Sequence, residues 1–134
     1  MHPLAESAMK YLGVRWRHQG RSRRSGLDCL GLLVVALEDL GFQVEDNTEY
    51  RRRPDDRKLL RLVRQQLDEV PLEELRSGDI LLLHFKDRDK SPYHFSIVTE
   101  PGMMIHGYGI KRKVVLDCID SWMDNIHSVF RVPE

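Results

Sequence analysis

Cysteine is scarce in this sequence: there are two among 134 residues. Two cysteines cannot build a disulfide scaffold, and a chain of this length buries a core without one. The count leaves room for one reactive thiol. Net charge is also missing, since 21 Lys and Arg balance 21 Asp and Glu. That balance excludes the strongly basic profile of a bulk nucleic-acid binder, so no nucleic-acid partner is expected. The longest strongly apolar run, Leu30 to Leu37, is far shorter than the roughly 20 residues of a spanning helix, so no membrane span is expected. The opening residues Met1-His2-Pro3-Leu4-Ala5-Glu6 lack the basic head and apolar stretch of a signal peptide. The expectation is synthesis and folding in the cytoplasm. There is no internal repeat and no low-complexity segment. With 41% hydrophobic and 31% charged residues, the chain reads as one globular domain over 1–134.

The zero charge is unevenly distributed. Residues 1–64 carry 13 basic and 9 acidic groups, and residues 65–134 carry 8 and 12. The basic excess peaks at Arg15, Arg17, Arg21, Arg23 and Arg24, with a second knot at Arg51, Arg52 and Arg53. Such a cluster is by default a solvated face. Its functional reading is attraction to an anionic polymer or partner.

The first half reads as helical. Pro3 and Gly13 bracket a short helix over Ala5–Tyr11. Residues 14–27 are a polar, basic loop. Asp28 is a plausible N-cap and Gly41 a plausible terminator for an apolar helix beginning at Cys29, expected to be the central buried one. A polar loop over 43–56 leads to a helix over about Arg57–Leu67, which Asp55 or Asp56 would cap. There Leu59, Leu60, Val63 and Leu67 share one face. After Gly78 the pattern changes to strands: Ile80–Phe85, Tyr93–Thr99, Met103–Tyr108, Val114–Leu116 and Val129–Val132, with a helical turn at Ser121–Asn125. Helices first and strands after is the α+β order, with a C-terminal antiparallel sheet of about five strands.

Cys29 falls at the first turn of the central helix. Free N–H groups and partial positive charge there favour thiolate over thiol. A buried inert cysteine is the competing reading. A nucleophile needs a base within reach, and the base needs an orienting group. His94 opens one strand and His106 lies near the end of the next, so a tight turn would bring the two imidazoles together. His2, His18, His84 and His127 have no such constellation. Cys118 follows the fourth strand and reads as a partly buried free thiol.

These residues resemble a known family. Gly26-Leu27-Asp28-Cys29-Leu30-Gly31-Leu32-Leu33 is similar to the nucleophile motif of the NlpC/P60 cysteine peptidases. Gly78-Asp79-Ile80-Leu81-Leu82, His94-Phe95-Ser96-Ile97-Val98 and Met104-Ile105-His106-Gly107 resemble its later strands, in the family's order. The opening Gly13–Gly20 and the ending Ser121-Trp122-Met123 with Val129–Pro133 resemble the phage-borne, tail-associated branch. Two departures stand out: Trp16 where Tyr is frequent, and Ser96 where Gly is usual.

The resemblance implies a papain-like fold with a Cys29–His94–His106 catalytic set, no metal and no organic cofactor. Cys29 would attack an amide in a peptidoglycan stem peptide, with a D-glutamyl–diamino acid bond as the family preference. His94 would be the base and His106 its orienter. Trp16 and Asp28 are expected at the substrate side, Asp28 chiefly as the helix cap. Phage tail proteins are further expected partners, and a virion location follows from that branch. Three rival readings remain: a zinc site from Cys29, His94, His106 and Cys118, a tail-tip assembly protein with little turnover, and an acyltransferase or amidase using the same thiol.

Overall fold

A computed structural model describes residues 1–46, 48–50, 58–85 and 92–133. The basic knot at 51–53 and the capping positions 55 and 56 lie outside the described residues, as do most of the residues between the predicted strands Ile80–Phe85 and Tyr93–Thr99. Helix α1 spans Pro3–Met9, with Pro3 in its first turn and the His2 ring accepting from the Leu4 amide at 3.0 Å. The basic loop that follows contains a two-stranded ribbon, β1 (Arg21–Ser22) and β2 (Gly26–Leu27). Helix α2 spans Cys29–Glu38, and helix α3 spans Lys58–Gln66. Strands β3 (Asp68–Val70), β4 (Ile80–Leu83), β5 (His94–Val98), β6 (Met103–Tyr108), β7 (Lys113–Cys118) and β8 (Ile126–Arg131) follow. Short 3₁₀ segments occupy Leu72–Glu74 and Ile119–Asn125.

The sheet is fully antiparallel, in the order β3-β8-β4-β5-β6-β7. It has one strand more than the sequence suggests. Asp68-Glu69-Val70 carries two charged residues and little β propensity, so it reads as a link. It is an edge strand whose only sheet partner among the described residues is β8. An edge needs no second apolar face.

Helix α2 is apolar on nearly every side because it is covered on nearly every side. Leu30 through Leu37 are all buried, between α1 and one face of the sheet. The opposite face carries a second apolar layer, built on Leu81, Leu83 and Met104 and roofed by Trp122 of the 3₁₀ turn. Strand β4 lies between these layers. That explains why Ile80-Leu81-Leu82-Leu83 has no polar alternation. Asp79, 1% exposed, receives Arg131 in a two-pronged ion pair at 2.7 and 2.8 Å, pinning the start of β4 to the end of β8. Among the described residues, no helix is long and apolar enough to cross a membrane.

Candidate active site

The site forms where α2 meets the sheet end-on. Asp28 has an extended backbone and caps the helix, its Oδ1 accepting from the Gly31 amide at 2.8 Å. Oδ1 also takes Arg21 at 3.2 Å, while Oδ2 takes the Gln19 amide at 2.7 Å and the Tyr50 hydroxyl at 2.5 Å. The carboxylate is therefore buried and committed to protein donors on both oxygens. Its place is beneath the thiol-bearing turn, holding the basic loop and Tyr50 against it.

Gly31 has a steric reason to be glycine. A Cβ there would stand 2.0 Å from the Gly20 carbonyl oxygen. Gly107 of β6 plays the matching part from the sheet, since a Cβ there would stand 2.9 Å from the Asp28 carbonyl. Backbone from the loop and from β6 thus reaches within contact of the helix start.

Cys29 is the first residue of α2, and its half-buried thiol contacts the Tyr93 carbonyl at 3.8 Å. Strands β5 and β6 pair at Ile97–Ile105 and Val98–Met104, the end far from His94. There the turn around Gly102 closes the hairpin. His94 and His106 lie on the same sheet face, and His94 Nε2 is 2.7 Å from His106 Nδ1. The expected meeting of these two imidazoles is what the structure shows.

Aromatic rings enclose the pair. Trp122 stacks on His94 at 5.7 Å, Tyr108 stacks on His106 at 4.9 Å, and Phe85 leans on His94 at 4.8 Å. His94 is 3% exposed and His106 not at all. Burial, with His106 adding to it, pushes His94 well below its ordinary value. Burial also lowers His106 to about 4, although Asp117 acts in the opposite direction. For the thiol, burial and then the Asp28 charge push Cys29 up to about 12, against the Phe95 and Leu30 amides. The helix-terminus effect expected from sequence is outweighed in this closed site. Burial thus works towards the uncharged form of all three groups.

Two contributors escape sequence reading. Asp117 of β7 brings Oδ2 within 3.5 Å of His106 Nε2, and Trp122 Nε1 donates to the same oxygen at 2.9 Å. Tyr50 lies in a polar loop with no helical or strand pattern around it. The available signals are a lone aromatic in that loop and an acidic residue just past a predicted strand, neither of which identifies a partner.

Trp16 bridges to Leu27 beside the helix start, packs over Gly109, and stacks loosely with His18, which meets Tyr50 edge-on at 5.6 Å. Three of the five loop arginines are turned to the protein itself. Arg15 donates to the Ser25 carbonyl, Arg21 pairs with Asp46, and Arg23 lies over the Tyr11 ring. Arg17 and Arg24 are exposed. Cys118 is exposed rather than partly buried, because it ends β7 opposite Met103 at the far end of the hairpin from His106. Among the described residues, no cluster of His, Cys, Asp and Glu is placed to hold a metal, and the four-residue zinc set is not assembled. Ser96 Oγ is buried with no hydrogen-bond partner among the described residues.

A thiol on the first turn of a buried helix, facing an antiparallel sheet that carries two paired imidazoles, defines a papain-like α+β architecture. The chain belongs to the NlpC/P60 family, whose sequence profile matches residues 13–131. Solved structures share the fold at low identity. A lipoprotein-like NLP/P60 protein from Staphylococcus aureus is 18% identical with a TM-score of 0.75, covering 98% of this chain and 41% of its own. The chain thus spans about two fifths of that protein. The NlpC/p60 domain of the peptidoglycan hydrolase SagA is 18% identical with a TM-score of 0.72, and 97% of each chain is covered. RipD from Mycobacterium tuberculosis, a non-catalytic NlpC/p60 protein adapted to peptidoglycan binding, is 12% identical with a TM-score of 0.66, covering 98% and 95%. No curated protein sequence matches the chain.

Proposed function

We propose that this protein is a cysteine peptidase that hydrolyses amide bonds in peptidoglycan stem peptides. The observation that carries the reading is the 2.7 Å contact between His94 Nε2 and His106 Nδ1, with the Cys29 thiol against the carbonyl of Tyr93, the residue before His94. A thiol and a buried imidazole whose second nitrogen is held by another ring are the parts that nucleophilic catalysis requires and that binding alone does not.

In this reading Cys29 attacks the amide carbonyl as its proton passes to His94. The oxyanion takes hydrogen bonds from free N–H groups at the α2 start. His94 then delivers the proton to the departing amine, leaving a thioester on Cys29. Water hydrolyses the thioester with His94 again as base. His106 holds His94 in orientation throughout. Trp16 lines the approach as an apolar wall with an N–H donor. Exposed Arg17 and Arg24 attract the carboxylates of the wall peptide.

Family resemblance supports a D-glutamyl–diamino acid bond as the target. The resemblance of the two ends to phage-borne relatives supports a role at a tail tip, with tail proteins as partners after cytoplasmic synthesis. The test is digestion of purified muropeptides by the wild type and by Cys29→Ala, with products read by mass spectrometry. New amino termini at the diamino acid with the wild type alone are expected. Equal products from both samples, or none from either, overturn the peptidase reading. The second result together with stable binding to tail proteins identifies an assembly component.

A further inference from the structure

We propose that Asp117 is a positioning residue that selects the tautomer of His106 and thereby makes His94 competent as a base. The inference rests on the peptidase reading for its consequence, and on the hydrogen-bond chain for its content.

The contact between His94 Nε2 and His106 Nδ1 needs one proton, and either ring can supply it. If His106 carries the proton on Nδ1, His94 accepts at Nε2 and carries its own proton on Nδ1. Both nitrogens of His94 are then occupied, and it cannot take a proton from a thiol. If His106 carries the proton on Nε2 instead, its Nδ1 accepts from His94 Nε2–H. His94 Nδ1 is then an open lone pair. Only the second arrangement contains a base. The tautomer of one ring nitrogen is set by what the other one meets.

His106 Nε2 is fully buried and has no hydrogen-bond partner among the described residues. The group nearest in charge is Asp117, whose Oδ2 lies 3.5 Å away, in electrostatic contact but poorly directed for a full hydrogen bond. A carboxylate there attracts an N–H and repels a lone pair, so it favours the base-competent tautomer.

The carboxylate is also held in place. Its Oδ2 receives Trp122 Nε1 at 2.9 Å, and its Oδ1 receives the Cys118 amide at 2.9 Å. Burial raises its pKa, but the Trp122 and Cys118 donors and His106 outweigh that effect and keep it ionised. An asparagine has one acceptor where this position uses two. It would turn its amide N–H₂ either against the Cys118 amide or against Trp122 and His106.

The tautomer is read by two-bond ¹H–¹⁵N correlation on protein labelled with ¹⁵N-histidine, with His106 assigned through His106→Gln. In the wild type, His106 Nδ1 is expected at an unprotonated position and Nε2 at a protonated one. This reading of the wild type does not depend on an Asp117 variant folding. In Asp117→Asn, His106 is expected to shift towards the Nδ1–H form. Alkylation of Cys29 by iodoacetamide, followed on the Cys29 peptide by mass spectrometry, is expected to slow about 10- to 100-fold, the size of a lost charge-assisted interaction. Muropeptide turnover is expected to fall in kcat with KM little changed. A merely structural Asp117 would lower the melting temperature and leave the tautomer alone. A wild-type His106 protonated on Nδ1, or an Asp117→Asn protein with unchanged tautomer and alkylation rate, overturns the proposal. A tautomer and alkylation response without any muropeptide cleavage by the wild type supports it while removing the peptidase reading.

Discussion

His94 and His106, twelve positions apart on adjacent strands, meet nitrogen to nitrogen at 2.7 Å inside an aromatic enclosure that disfavours charge on either ring. The contact follows from one hairpin. The turn around Gly102 sets the register, both residues fall on the same sheet face, and Trp122, Tyr108 and Phe85 exclude water from it. A neutral couple of this kind can pass a proton from a thiol and return it without first releasing one to solvent.

Cys29→Ser keeps the helix start and the size of the side chain. Muropeptide turnover is expected to fall by about a thousandfold or more, while the melting temperature stays within a few degrees. Retention of more than a tenth of the wild-type kcat would remove Cys29 from the chemistry.

Stability should rise with pH through the histidine range. Folded His106 titrates at about 4, and the unfolded imidazole at the ordinary 6.5. Between those values the unfolded chain binds more protons, so unfolding becomes easier as pH falls below 6.5. The slope reaches about 1.4 kcal/mol per pH unit for each such histidine and flattens below about 4. Buried His94 adds in the same direction. Urea melts between pH 4 and pH 7.5 should be steeper in pH for the wild type than for His106→Gln. Parallel curves would show that His106 is not depressed.

Gly31→Ala should destabilise the protein by about 2–4 kcal/mol, because the new Cβ meets a backbone carbonyl that cannot turn away. Gly41→Ala lacks that collision, since no atom lies within 4 Å of a Cβ there, and its cost comes from its φ of +90° alone. Denaturant midpoints of the two variants compare the two causes. A smaller loss at Gly31 than at Gly41 would refute the close approach of the loop to the helix.

Ser96→Ala removes a buried hydroxyl with no partner among the described residues. An unsatisfied hydroxyl costs about 1–3 kcal/mol, so this variant should be more stable by about 1 kcal/mol, with turnover preserved. A clear loss of stability would mean that the hydroxyl holds a buried water.

The helical half was legible where pattern and capping agree. Asp28 reads as a cap because a carboxylate before an apolar run has one good use, and it caps Gly31. Leu59, Leu60 and Val63 read as a buried face because their spacing is helical, and they are buried. The ribbon at Arg21–Ser22 and Gly26–Leu27 and the edge strand Asp68–Val70 were not legible. They are two or three residues long, with one apolar residue in each segment that packs on a core, Leu27 and Val70, too few to show a strand pattern. Asp79 was visible only as part of a motif. Its work, anchoring Arg131 from 52 positions away, leaves no local trace.

The sequence by itself determined the order of elements, the thiol at the head of an apolar helix and the two histidines on consecutive strands. Those are local properties, written in periodicity, caps and turns. Only the tertiary structure decided the chemistry around them. Burial and the Asp28 charge oppose the thiolate preference expected at a helix start. Cross-strand geometry adds Asp117 behind His106, and loop closure brings Tyr50 under Asp28. Desolvation and charge proximity depend on which distant segments meet, and that is not encoded in the spacing of any one segment.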